Sequence, residues 1–290
     1  MLYIFTMTIG EILKEGIKIL TSAGIKTPKT DTEIIISYVL GINRFEIYIR
    51  NNEEIKEEDR IKIINLINER SKNIPLEYLT GYKYFWGIKF EVKNGVLIPR
   101  FDTESLIEVA KLICRNPEYI LDIGTGTGII GITLKKIFPN SYIIMTDISD
   151  TAIEVCKKNV LKILGKTDGI EIIKSDVFED IWESIGWGKF DLIISNPPYI
   201  SKKDYENLPE DVKKEPFEAL YGGINGLDFY IKIANRAKEF LKTNGKIILE
   251  VGDKEQAIKV KKIFYLKGFR NFLTFKDINN NTRGIVIMNY

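Results

Sequence analysis

The chain of 290 residues contains no histidine and only two cysteines, Cys114 and Cys156. The missing imidazole excludes Ser-His-Asp and Cys-His catalysis, histidine general bases and His-ligated metals. The cysteines form no Cys-x-x-Cys pair, so zinc and dithiol redox readings fail. Each falls in an apolar helical pattern that predicts a buried structural thiol. No metal site is expected. An excess of one charge is also lacking: the net charge is +2, too small for a global pull toward nucleic acid or a membrane surface. No apolar run approaches the roughly 20 residues that span a bilayer. Met1 to Gly10 carries neither a basic leader nor a small-residue cleavage site. A cytoplasmic protein, acting as a monomer without membrane or direct nucleic-acid partners, is expected.

What is present is a 44% hydrophobic chain of a length that fits about two domains. Residues 1–75 read as a small helical bundle. Ile9, Ile12, Leu13, Gly16, Ile17 and Leu20 mark one amphipathic face, with Gly24 as its stop. Thr30-Asp31-Thr32-Glu33 fits a capping box opening a helix from Ile34 to Leu40. Ile61, Ile64 and Ile67 mark a third helix, closed before Pro75. Residues 76–98 change character: Tyr82, Tyr84, Phe85, Trp86, Phe90 and Val92 around Gly87 predict a β-hairpin linker.

Residues 99–290 form the expected catalytic domain. From Tyr119 short apolar runs alternate with helical patterns. The runs are Tyr119–Ile123, Tyr142–Thr146, Ile170–Lys174, Asp191–Ser195 and Lys246–Val251. The helices between them are Ile130–Phe138, Thr151–Leu164 and Leu227–Leu241. Such alternation predicts right-handed βαβ units and an α/β fold with a mostly parallel sheet. Phe272–Lys276 and Gly284–Met288 predict a terminal strand pair.

Three clusters carry chemistry. Asp122-Ile123-Gly124-Thr125-Gly126-Thr127-Gly128 follows the first core strand and opens a helix, so its backbone can turn tightly against a ligand. Asp147 ends the next strand, where a carboxylate can accept both ribose hydroxyls of a nucleoside. Gly126, Gly128 and Gly131 also satisfy G-x-G-x-x-G, which keeps a nicotinamide or flavin cofactor in contention. After the third strand, Asp176 can accept from the exocyclic amine of an adenine and Val177 can flank its face; N-capping the next helix is the alternative. The fourth strand delivers Asn196-Pro197-Pro198-Tyr199. Two prolines remove two backbone donors, leaving a carboxamide, bare carbonyls and an aromatic ring. That set suits gripping a planar NH2 group.

Asp122 to Gly128 resembles the S-adenosylmethionine-binding motif of class I methyltransferases, a Rossmann-like fold. Asn196 to Tyr199 resembles the motif of methyltransferases acting on planar nitrogens, either adenine N6 or an amide. Leu97-Ile98-Pro99-Arg100-Phe101-Asp102-Thr103-Glu104 narrows this, being similar to the segment before the catalytic domain of release factor glutamine methyltransferases. Gly81 to Gly87, Phe90 to Val92, Asp211-Val212, Glu215-Pro216, Ala219-Leu220 and Gly222 to Leu227 also resemble that family. Two departures stand out: Phe101 replaces the family's usual proline, and Ile224-Asn225 replaces a more acidic pair.

The resemblance implies methyl transfer from S-adenosyl-L-methionine to the side-chain nitrogen (N5) of a glutamine, leaving S-adenosyl-L-homocysteine. The implied target is the Gly-Gly-Gln loop of peptide chain release factors, with the N-terminal helices recognising that substrate. Asn196, Pro197, Pro198 and Tyr199 would bind and activate it. Asp122, Gly124 to Gly128, Asp147, Asp176, Val177 and Asn196 would hold the cofactor, with Arg100 and Phe101 nearby. Rival readings are a glutamine methyltransferase of a large-subunit ribosomal protein, an adenine-N6 nucleic-acid methyltransferase, a nicotinamide-dependent reductase and a non-catalytic binding module.

Overall fold

A computed structural model describes residues 7–181 and 188–289. The chain divides into two compact units, Met1–Gly81 with Pro209–Lys214, and Tyr82–Leu208 with Glu215–Tyr290.

The first unit is helical. Its first helix, α1 (Ile9–Ser22), opens with a capping box. The Thr8 hydroxyl accepts from the Glu11 N–H at 3.2 Å, and the Glu11 carboxylate accepts from the Thr8 N–H at 2.8 Å. Helix α2 (Pro28–Leu40) starts earlier than the Thr30 cap predicts. Pro28 sits in its first turn, where a residue without an N–H costs nothing. Asp31 and Glu33 are therefore helical and buried rather than capping. They serve as ion-pair partners: Glu33 accepts from Arg44 and Tyr48, and Asp31 accepts from Arg70 at 2.7 Å.

A short α3 (Glu46–Ile49) leads to α4 (Glu57–Ser71). The buried stripe of α4 is Ile63, Ile67 and Arg70, at i, i+4 and i+7, whereas Ile61 faces solvent. Ile12, Leu20, Ile35, Ile36, Ile47, Ile63 and Ile67 form a dry core. The unit extends past residue 75 because α5 (Leu76–Thr80) packs on α2 and α4 before Gly81 ends it in a left-handed turn. Pro209–Lys214 joins the unit, and there Asp211 reaches Arg70 at 3.3 Å.

The second unit starts with the hairpin β1 (Tyr82–Phe85) and β2 (Ile88–Glu91). Trp86 and Gly87 both take positive φ, 53° and 70°, as a tight hairpin turn of the favoured twist demands. The Trp86 N–H donates to Glu104 at 2.7 Å, tying the turn to the start of α6 (Glu104–Ile113).

The main sheet contains β3 (Tyr119–Ile123), β4 (Tyr142–Asp147), β5 (Ile170–Lys174), β6 (Phe190–Ser195), β7 (Leu241–Glu250), β8 (Asn271–Lys276) and β9 (Thr282–Met288). The strand order is β5-β4-β3-β6-β7-β9-β8, parallel from β5 to β7, with β9 antiparallel to both its neighbours. Strand β7 starts at Leu241, ahead of the expected Lys246, because an irregular register near Phe190 lets Leu241 pair early.

Successive strand residues pack into two different cores. Leu121 and Ile123 face one and Ile120 the other. Helices cover both faces, which is why the central strands read as unbroken apolar runs. Helices α7 (Ile129–Ile137) and α8 (Asp150–Leu164), with the later helix Asp228–Phe240, match the expected crossovers. Helix α6 and the helix Lys254–Leu266 were not among the expected helices, although Leu106, Ile107 and Ala110 of the one and Ala257, Val260 and Phe264 of the other form buried faces at helical spacing. Cys156 lies within α8 and Cys114 just beyond α6, and both are buried free thiols. Among the described residues no helix is long and apolar enough to cross a membrane.

The Asp31–Arg70 pair generates a stability prediction. Arg70→Met leaves Asp31 buried without its partner, which should cost about 3–5 kcal/mol. The double replacement Asp31→Leu/Arg70→Met should recover much of that loss. Thermal unfolding of the two variants checks both, and equal destabilisation by each would contradict the pairing argument.

Candidate active site

The carboxyl ends of β3, β4, β5 and β6 open on one cavity of about 750 Å³. That is where ligands lie in doubly wound sheets, and the volume suits a drug-sized ligand. Its floor is the turn between β3 and α7. Gly128 takes φ 86° as the N-cap of α7, a conformation that strains any residue with a side chain.

Asp122 holds that turn from beneath. It is fully buried, and one carboxylate oxygen accepts from the Thr125 hydroxyl at 2.6 Å and the Gly131 N–H at 2.9 Å. Its other oxygen has no hydrogen-bond partner among the described residues. Burial pushes its pKa up to about 7 despite those two donors.

Asp147, at the end of β4, does reach the cavity. Its two oxygens each accept one backbone N–H, from Gly126 at 2.9 Å and Ser149 at 3.0 Å. Burial raises its pKa, against the pull of the Ser149 and Gly126 donors. Each oxygen keeps lone-pair capacity for a hydroxyl. Asp176 lines the wall, where Lys232 contacts it at 2.7 Å. Val177 also lines the cavity while its side chain packs into the core.

The fourth strand brings Asn196, Pro197 and Pro198 to the same cavity. Their backbone is clamped from behind. A side chain at Gly226 would meet the Tyr199 carbonyl at 2.3 Å, so the Gly222–Gly226 loop lies directly against the tip. Gln256, the only glutamine in the chain, donates to the carbonyls of Tyr199 and Gly226, both at 2.9 Å. The Asn196 amide donates to the Thr103 hydroxyl at 3.1 Å. Thr103 donates to Glu250 at 2.7 Å, and the Tyr199 hydroxyl donates to the other oxygen of Glu250 at 3.4 Å.

Several expected site residues are placed elsewhere. Asp122 and Gly128 shape the loop from outside the cavity wall, because the carboxylate is spent on the turn and Gly128 is turned into the helix start. Tyr199 is not a lining residue either: its hydroxyl turns toward Glu250 and its ring packs on the core. Phe101 is 58% exposed and lies off the cavity. Arg100 does line it, held by buried Glu215, which also accepts from the Ile98 N–H at 3.0 Å.

The motifs missed Val96, Phe217, Phe229 and Lys232, which complete the cavity. They also missed Thr103 and Glu250 behind it. Glu250, a lone carboxylate ending an apolar strand, was the one legible signal.

The raised pKa of Asp122 gives a linkage test. A carboxyl group that binds its proton more tightly when folded stabilises the fold at low pH, and this contribution fades as pH rises toward about 7. Asp122→Asn carries no such loss. Its melting temperature relative to the wild type, without cofactor, should therefore be more favourable at pH 8 than at pH 5. A pH-independent difference would show that Asp122 is ionised throughout.

Family profiles and individual relatives agree on what this chain is similar to. The methyltransferase small domain matches residues 89–221 and the PrmC N-terminal domain matches residues 11–81. A release factor glutamine methyltransferase from Clostridium botulinum is 39% identical over 98% of this chain and 100% of its own. Among solved structures, a methyltransferase from Pyrococcus furiosus superposes with TM-score 0.53 at 22% identity, covering 70% of this chain and 90% of that one. The N-terminal domain of human METTL16 in complex with SAH gives TM-score 0.52 at 16% identity, covering 83% and 86%. These two establish the class I methyltransferase fold, and the full-length match goes further. The chain belongs to the release factor glutamine methyltransferase family.

Proposed function

We propose that this protein transfers the methyl group of S-adenosylmethionine to the side-chain nitrogen of the Gly-Gly-Gln glutamine in peptide chain release factors. The observation that carries the reading is the arrangement of Asn196. Its NH2 is engaged by Thr103, so its carbonyl oxygen is the end left to meet an incoming amide N–H. It does so in the cavity that also holds the glycine turn and Asp147.

The residues present fit the cofactor. Gly124 to Thr127 offer close backbone approach, Asp147 two acceptors for ribose hydroxyls, and Asp176 and Val177 an acceptor and an apolar wall for adenine. When bound, the sulfonium supplies an electrophilic methyl group. The chain's task is to present a nucleophile to it.

An amide nitrogen is a poor nucleophile because its lone pair is delocalised into the carbonyl. Asn196 accepts one N–H of the substrate amide and the Pro197 carbonyl accepts the other. Held by both hydrogens, the nitrogen can rehybridise and aim its lone pair. Alignment of this kind can be worth roughly 7–11 kcal/mol. No base need remove a proton first, since the nitrogen becomes strongly acidic once alkylated. Tyr199, anchored to Glu250, fixes the backbone of the tip. The N-terminal unit contributes recognition of the protein substrate, and the chain acts in the cytoplasm as a monomer.

Incubation with labelled S-adenosylmethionine and purified release factors, ribosomes or DNA tests the assignment. Label should enter release factors. Label in ribosomal protein or in DNA would redirect it to one of the rival classes. Asn196→Ala should abolish transfer while cofactor affinity stays within about twofold. Asp147→Ala should weaken cofactor binding about tenfold or more, the loss expected when hydrogen bonds to a charged group are removed. Isothermal titration reads both effects.

A further inference from the structure

Behind Asn196 lies a hydrogen-bond chain with a fixed direction. Glu250 is 1% exposed and Thr103 0% exposed. An ionised carboxylate only accepts, so the single hydroxyl proton of Thr103 must point to Glu250, at 2.7 Å. Thr103 then has only lone pairs for its other neighbour, Asn196, at 3.1 Å. Of the two ends of the Asn196 carboxamide, only NH2 can satisfy it. The oxygen is thereby forced to the opposite side. Without that constraint the two ends of an amide are nearly the same shape and can exchange by a half-turn. The wrong orientation would set NH2 against the NH2 of the substrate.

We propose that Thr103 and Glu250 are positioning residues that fix which end of the Asn196 carboxamide meets the substrate amide. The inference rests on the functional reading above and adds to it two residues that touch neither substrate nor cofactor.

The ionisation of Glu250 sets the direction of the chain. A protonated Glu250 can donate to Thr103, which frees the hydroxyl to donate to Asn196 and accept the reversed amide. The surroundings of Glu250 are mixed. Thr103 and Asp102 face it from the turn Phe101–Thr103, and Tyr199 from the tip. Arg283 comes from β9, itself paired with Asp102 at 3.0 Å and Asp277 at 3.2 Å. Tyr230 donates to the backbone carbonyl of Glu250 at 2.8 Å, with Asp253 beyond it. Burial outweighs the Thr103 donor and the Arg283 charge, leaving the carboxyl at about 7. Turnover should therefore fall as pH drops through about 7, although neither Asn196 nor the substrate amide titrates there.

The test uses the full-length protein. Thr103→Val keeps the shape and removes the hydroxyl, so kcat should drop about tenfold or more, on the scale of one reversed hydrogen bond. KM for both substrates and cofactor affinity should stay within about twofold. Thr103→Ser, which restores the hydroxyl, should recover most of the rate. Glu250→Gln, which cannot titrate, should show no rise in kcat between pH 6 and 8. A Thr103→Val enzyme at wild-type speed, or a Thr103→Ser enzyme as slow as Thr103→Val, overturns the inference.

The side-chain NH2 resonances of Asn196 in a nitrogen-15 spectrum provide a readout needing no substrate. They should shift as pH crosses about 7 in the wild type and stay put in Glu250→Gln. A wild type without that shift also overturns the inference. A wild type that shows the shift yet labels no release factor overturns the functional reading alone.

Discussion

The second unit is organised around a carboxylate that has no access to water. Glu250 ends β7 with its side chain sealed between segments remote in sequence: the turn at Thr103, the tip at Tyr199 and, through charge, Arg283 of β9. Taking a carboxylate out of water is costly unless donors surround it. The donors it finds, Thr103 and Tyr199, belong to the two segments that meet behind Asn196. Desolvation cost thus becomes a geometric constraint. A chain in which the Phe101–Thr103 turn or the β6 tip drifts away leaves Glu250 buried without its hydroxyl partners.

Asp122 applies the same logic beneath the glycine turn. It lies one residue from the end of an apolar strand and is fully buried, and it too spends an oxygen on a loop hydroxyl, that of Thr125. The two carboxylates differ in what they organise. Asp122 shapes a glycine turn from backbone and hydroxyl donors, while Glu250 sets the polarity of a side-chain chain ending at Asn196. Neither lines the cavity. Asn196, which faces the cavity, is held by Thr103, which does not, whereas Asp147 is held by the Gly126 and Ser149 N–H groups of the cavity wall itself.

The central strands β3, β4 and β6 were legible because they are buried on both faces, so their runs announced themselves by composition, and the half-buried edge strand β5 was legible by its isoleucines. The cavity's glycine turn, Asp147 and Asn196 were legible because each follows such a run directly. Other features depended on tertiary context. Thr30 to Glu33 satisfies a capping pattern, but Pro28 opens the helix first and the partners of Asp31 and Glu33 lie at Arg70 and Arg44. Asp122 and Tyr199 sit within motifs that read as ligand-binding, yet burial turns their polar atoms away from the cavity. Thr103 and Glu250 are 147 residues apart in sequence, a separation no local pattern encodes.

The absence of histidine takes on a definite meaning in this setting. A nucleophile whose lone pair is delocalised gains little from a general base, because the neutral amide proton is too weakly acidic to remove at neutral pH. It gains more from being held by both hydrogens in one orientation, a contribution that can reach roughly 7–11 kcal/mol. Orientation by a carboxamide has its own weakness, which is that the carboxamide itself is nearly symmetric in shape. An imidazole base would bring its own titration and its own ambiguity of tautomer. An asparagine referenced through a threonine to a buried carboxylate avoids both, provided the carboxylate stays ionised. The chemistry therefore asks for a rigid, dry backing more than for a reactive side chain, and the tip Asn196 to Tyr199, clamped by Gln256 and backed by Glu250, has that character.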